Sequence, residues 1–135
     1  MGTGWHGRFP GTAASDCQAH TLTDNLIALT KEFPLLPNGF FGESGQSKNN
    51  VRVRNITSTN AIATSQRFYT LACEQAVSIG DIRGHGGEHK GYLARMRDGT
   101  IISYRWSSSS DGSPAVDINI QSVGSVKRQK IHFIQ

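Results

Sequence analysis

Thiols are scarce in this chain. Its two cysteines, Cys17 and Cys73, lie far apart and in neither a CxxC nor a metal-type spacing, which argues against a structural zinc site. Cys73 falls in an expected helix, where a free thiol behaves as a small buried hydrophobe; a disulfide with Cys17 is left open. No stretch approaches the roughly 20 apolar residues of a membrane-spanning helix. No GxSxG elbow is present, which argues against serine-hydrolase chemistry of that kind. Nor do carboxylates cluster as a standard Mg²⁺ or Zn²⁺ nuclease would need. Apolar residues make up only 36% of the chain, against 15 glycines, so a modest core with long polar loops is expected.

What the chain does have is basic charge. Nine arginines and five lysines give a formal net charge of +4 and a pI of about 9.4, which favours an anionic partner such as nucleic acid or an acidic protein. The 135 residues suit one domain. In it, residues 1–50 form an irregular arm and a short helix, and residues 51–135 a helix plus an antiparallel sheet. Met1–Pro10 is glycine-rich and polar and does not read as a signal peptide. The start MGTGW reads as a piece of a longer chain whose parent carries any export information.

Taken in order, Met1–Ala19 shows little periodicity. A short helix is expected from His20, capped by Thr23 or Asp24, with Leu26, Ile27 and Leu29 as its apolar face and Pro34 as its end. Leu35–Asn50 reads as loop, anchored by Phe40 and Phe41. Val51–Ile56 is a short strand with Arg52 and Arg54 on one face. Ser58 or Thr59 caps a helix over Asn60–Ala76, where Ile62, Ser65, Phe68, Tyr69, Ala72 and Ala76 recur at helical spacing. Two alternating runs, Gly91–Met96 and Thr100–Trp106, flank Asp98-Gly99, a strong hairpin signal. With a two-residue turn, Arg105 would oppose Tyr92 and Arg95 would oppose Ile102. That register puts Arg105 on one face with Tyr92, Ala94 and Ser103, and Arg95 with Leu93 and Tyr104. A third strand, Ala115–Gln121, alternates with Val116, Ile118 and Ile120 inward. Lys127–Gln135 closes the sheet, with Ile131 and Phe133 on one face. Helices first and strands after them is an α+β order.

Gly84–Gly91 (GHGGEHKG) gathers two His, one Glu and one Lys. A histidine moves protons near neutral pH, and a neighbouring cation holds phosphate. His89 is the first choice for acid–base chemistry, His85 its substitute, and Lys90 the cation. Arg105 ends its strand at the serine-rich loop Ser107–Ser113, whose hydroxyls and backbone N–H groups can hold a phosphate. His85 and His89 also stand at the i, i+4 spacing of zinc-binding helices, but the glycines between them oppose a helix.

The run from ARMRDGTIISYR through SSSSDGSPAVDINI resembles the end of C-terminal toxin domains in bacterial polymorphic toxins of the contact-dependent inhibition and Rhs types. VRVRNITSTNAIATSQRFYTLA is similar to the helix region that precedes the sheet in such domains. These are grouped with barnase, EndoU, colicin D and RelE (the BECR-type ribonuclease fold). The resemblance covers Val51 to Ile120 and implies N-terminal helices packed on a four-stranded antiparallel sheet. It implies a metal-independent ribonuclease without a cofactor, often one that cleaves tRNA, kept silent by a cognate immunity protein expected to be acidic. It further implies export as the C-terminal part of a larger effector and action in the cytoplasm of a target bacterium. Carried onto this sequence, it implies His85, His89 or Lys90, then Arg105, then the serines with Ser108 and Ser109 foremost as the catalytic set. Arg95, Tyr104, Trp106, Ser107 and Ser110 are the expected substrate-binding set. Trp106 stands where the pattern has a proline or a small residue; it could stack on a base or simply pack.

Two other readings compete. One is a non-catalytic module that binds nucleic acid or an acidic protein. The other is a metal-dependent nuclease using His85, Glu88 and His89.

Overall fold

The computed structural model describes residues 18–45, 50–109, 111–121 and 123–135. The expected arm at 1–17, Cys17 with its possible disulfide, and Ser110 lie outside them. The described chain is α+β. Two helices, α1 (Leu26–Glu32) and α2 (Ala61–Ala72), accompany seven strands. These are β1 (Glu43–Ser44), β2 (Val53–Thr57), β3 (Ser78–Arg83), β4 (His89–Arg95), β5 (Ile101–Arg105), β6 (Ala115–Asn119) and β7 (Gln129–Ile134). They form one sheet in the order β1-β2-β7-β6-β5-β4-β3, antiparallel throughout except where β2 runs parallel to β7. The expected four-stranded sheet is thus too small. SIGDIR was missed as a strand because Gly80 interrupts its alternation, and β1 is too short to show a period. Among the described residues no helix is long and apolar enough to cross a membrane.

α2 starts at Asn60, whose side-chain oxygen accepts the Ala63 N–H at 3.1 Å. Ser58 instead accepts the N–H of Asn60, so the expected cap sits two residues early. The helix ends by Cys73, before Gln75 takes a positive φ of 58°. Ala61, Ser65, Phe68, Tyr69 and Ala72 are buried, whereas Ile62 faces solvent. Phe68 packs edge-on against Phe33, Phe41 and Phe133, and the core continues through Val116, Ile118 and Ile131 with Ile120 at its margin. Before α1, Thr21 and Asp24 bond each other's backbone N–H reciprocally at 2.9 and 3.1 Å. Ile27 is 76% exposed, so the inward face is Leu22, Leu29 and Phe33 rather than one containing Ile27.

Buried polar groups are answered one by one, as burial demands. Asn25 donates to the carbonyls of Ala72 and Glu74, closing the end of α2. Gln129 accepts the Phe41 N–H and donates to Gly39 and Lys127. Arg54, expected on one face with Arg52, is buried: its guanidinium bonds the carbonyls of Phe41, Val51 and Gly42 and lies over the Phe40 ring.

The β4–β5 hairpin decides where the candidate residues face. Its loop is Arg97-Asp98-Gly99, with Met96 and Thr100 closing it and Gly99 at a φ of +90°. A three-residue loop ending in a left-handed glycine shifts the register by one from a two-residue turn. Arg105 therefore opposes Gly91, and Arg95 opposes Ile101. Arg105, Ser103, Leu93 and Arg95 share the open face, while Tyr104, Tyr92 and Ala94 turn toward α2, which corrects the expected faces. At Gly91 a Cβ would run into the Tyr104 carbonyl, which accounts for a glycine inside the strand.

Candidate functional site

On the open face, Ser103 registers with Asp117, and Asp117 with Lys130; Lys130 in turn registers with Val53. One step along, Arg105 registers with Ala115 and Ala115 with His132. Period-two alternation thus places Arg105, Asp117 and Lys130 on one surface. They line a cleft of about 270 Å³ together with Ser103, Ser109 and Ala115. A second cleft, of about 280 Å³, shares Asp117 and Lys130 and is completed by Asn50, Arg52, Val53, Arg128 and Gln129.

Asp117 stands between these cations. Burial raises its pKa, and the positive charges of Lys130, Arg128 and Arg105 only partly bring it back. A half-buried carboxyl shifted toward neutrality, in a cleft with two cations, has the character of a proton-transfer group. The shift also has a sign for stability. A carboxyl whose folded pKa lies above its unfolded value contributes stability that is fully present below the unfolded pKa and is lost as pH rises through the folded one. Asp117→Asn, which mimics the protonated form, is accordingly expected to be more resistant to urea than the native chain at pH 7. The two should converge near pH 3; a destabilised variant at pH 7 would contradict the charge balance described.

The serine-rich loop is held onto the same face. Ser108 is buried and donates to Asp111 at 2.8 Å, and Ser113 donates to the same oxygen through both its hydroxyl (2.6 Å) and its N–H (3.0 Å). Because the Ser113 hydroxyl is committed to Asp111, its oxygen is free to accept the Nδ1–H of buried His132, 2.9 Å away. Asp111 lies 3.3 Å from the same nitrogen. Burial pushes the Asp111 carboxyl up, but the bonds from Ser113 and Ser108, with His132 beside it, hold it well below the usual carboxylate range. Among the described residues, this latch leaves Ser109 as the loop serine lining the cleft. Ser107 is exposed but does not line it.

The glycine loop goes elsewhere. Gly84–Glu88 is the β3–β4 turn, closed by Gly84 N–H to Glu88 and Gly87 N–H to Gly84, with His85 exposed. Lys90 pairs with Glu88 at 3.6 Å. After an irregularity in the β3–β4 register, His89 packs edge-on against Tyr92 and Trp106, with Nε2 2.8 Å from the Gly91 carbonyl and 3.2 Å from Asp81. Asp81 registers with Tyr92, so His89 belongs to the helix side of the sheet. The expected meeting of His89 with Arg105 and the serine loop does not occur. Trp106 joins that same aromatic group, where it packs rather than lying open for a base. Tyr104, expected to touch substrate, is fully buried, stacked on Tyr69 and bonded to Ser65. Arg95 shares the open face but lines neither cleft. His85, Glu88 and His89 do not form a ligand set: among the described residues no three His, Cys, Asp or Glu side chains converge as metal ligands would.

Of the expected residues, then, the structure brings together Arg105 and Ser109. Asp117, Lys130, Arg128, Arg52 and the His132 latch were missed. Alternation already pointed Asp117 away from Val116 and Ile118, and Lys130 and His132 away from Ile131 and Phe133. Only the pairing of β6 between β5 and β7 puts them beside Arg105. No family model, curated protein or solved structure matches the chain.

Proposed function

We propose that the chain is a metal-independent endoribonuclease whose reaction takes place in the cleft of Arg105, Asp117, Lys130 and Ser109. The observation that carries this is a carboxyl of raised pKa set between cations on an open sheet face. Cleavage through the ribose 2′-OH needs a proton acceptor, a proton donor and charge stabilisation at phosphorus, all of which side chains can supply. Asp117 takes the 2′-OH proton as that oxygen bonds to phosphorus. Arg105 and the Ser109 hydroxyl hold the non-bridging oxygens as negative charge builds. The bond to the 5′-oxygen breaks, and Lys130 gives that oxygen its proton. The products are a 2′,3′-cyclic phosphate and a 5′-hydroxyl; Lys130 regains its proton from Asp117 through solvent.

The similarity of Val51 to Ile120 to polymorphic-toxin domains supports the same reading, and the antiparallel strands β4–β7 are the part to which the barnase, EndoU, colicin D and RelE arrangement would correspond. With it comes the biological setting of the proposal. The substrate is tRNA inside a competing bacterium, reached as part of a larger exported effector, and an acidic immunity protein covers the basic face.

Incubating the protein with total RNA in EDTA and mapping the new ends tests the reaction. Cleavage with cyclic-phosphate ends is expected. Activity that is lost in EDTA and restored by a divalent ion would replace this mechanism with a metal-dependent one. Unchanged cleavage by Asp117→Asn would reduce the cleft to a binding surface.

A further inference from the structure

The two clefts on the open face adjoin. Lys130 and Asp117 belong to both, and the backbone N–H of Lys130 bonds the Arg52 carbonyl at 2.7 Å, tying the residue before β2 to β7. Arg105 stands on one side of this shared wall, and Arg52 and Arg128 on the other. Four cations and one carboxylate therefore border a furrow made of two adjoining clefts across β5, β6, β7 and the start of β2. Arg52 and Arg128 are exposed, and among the described residues their side chains have no hydrogen-bond or ion-pair partner. That contrasts with Arg54, whose guanidinium is consumed by three carbonyls, and with Arg67, which is paired with Glu32. No aromatic ring lines either cleft among the described residues. Such a furrow can grip a backbone but offers no platform for stacking a base.

We infer that Arg52 and Arg128 form a second phosphate subsite, and that the ligand of this face is a polynucleotide strand whose backbone runs from the Arg105 cleft into the Arg52/Arg128 cleft. The assignment rests on the ribonuclease reading for where the scissile phosphate lies; binding itself does not depend on it. A ligand with one phosphate reaches the first cleft alone, whereas a longer strand spans both. Grip on phosphates without base stacking predicts little base preference at the second subsite.

The test separates binding from cleavage. An oligodeoxythymidylate lacks the 2′-OH nucleophile, so it can be bound but not cut. Its binding constant is measured against salt for the native protein, for the Arg52→Ala/Arg128→Ala variant, and for Arg67→Ala as a control on the helix side. Releasing one phosphate contact on a single strand lowers the magnitude of the log–log salt slope by about 0.7. That drop is expected for the double variant and not for the control. For a longer RNA the double variant should raise KM more than for a diribonucleoside monophosphate, which reaches the first cleft alone; any change in kcat, through the charge that Arg128 contributes beside Asp117, should be the same for both substrates. An unchanged slope, an equal drop with Arg67→Ala, or no binding of the oligodeoxythymidylate by the native protein would overturn the subsite. A reduced slope with no RNA cleavage by any form would uphold the subsite and remove the ribonuclease reading instead.

Discussion

Arg105→Ala is expected to lower RNA cleavage by about 10²–10³, the usual effect of removing one positioned donor from a developing oxyanion. The side chain is exposed at the end of β5 and its guanidinium has no hydrogen-bond partner among the described residues, so its loss should leave stability nearly unaltered. The fall should appear in kcat at least as much as in KM, because charge at phosphorus grows toward the transition state. Arg105→Lys keeps the charge but not the planar fork and should recover only part of the activity. His89→Ala is the informative comparison. His89 lies against Tyr92 and Trp106 on the helix side of the sheet, so that variant should keep cleavage within a few-fold while losing some packing. The reverse pattern, with Arg105→Ala active and His89→Ala dead, would move the chemistry to the other face.

Phe68→Ala is expected to cost about 3–5 kcal/mol in unfolding free energy. The ring is fully buried and meets Phe33, Phe41 and Phe133 at centroid distances of 5.0, 5.1 and 5.7 Å. It joins the end of α1, the loop before β1, α2 and β7, so no single element can collapse into the space it leaves. Against a typical domain stability of roughly 5–15 kcal/mol, that loss is large. Urea unfolding of the variant beside Phe68→Leu, which refills most of the volume, measures it. A cost below about 1 kcal/mol for Phe68→Ala would mean that this junction is not the centre of the core.

How much of this was legible in the chain depends on the range of the interaction. Periodicities are local, so Phe68, Tyr69 and Ala72 in α2, Val116 and Ile118 in β6, and Ile131 and Phe133 in β7 could all be assigned to the core from spacing alone. The α+β order, the Asp98-Gly99 hairpin and the anchoring of Phe40 and Phe41 were likewise present in the residues. Even there a one-residue difference in the loop changed which residues share a face and put Arg105 on the same face as Arg95, since a side chain's face alternates with every residue along a strand.

The sequence by itself determined the helix and strand periodicity, the excess of cations and the candidate status of Arg105 and Ser109. Only the tertiary structure decided that Asp117 and Lys130 share a cleft with Arg105, that His132 and Asp111 latch the serine loop, and that His89 lies on the other face. The physical reason is that strand order is a long-range choice. β5, β6 and β7 bring together residues from 103 to 132 through backbone pairing, whereas His89, the first residue of the strand that pairs with Arg105, is carried to the other side by an irregularity at Ile82/Arg83. Burial of Arg54 has the same origin: its carbonyl partners at Phe41 and Gly42 reach it only because β1 and β2 pair at the sheet edge.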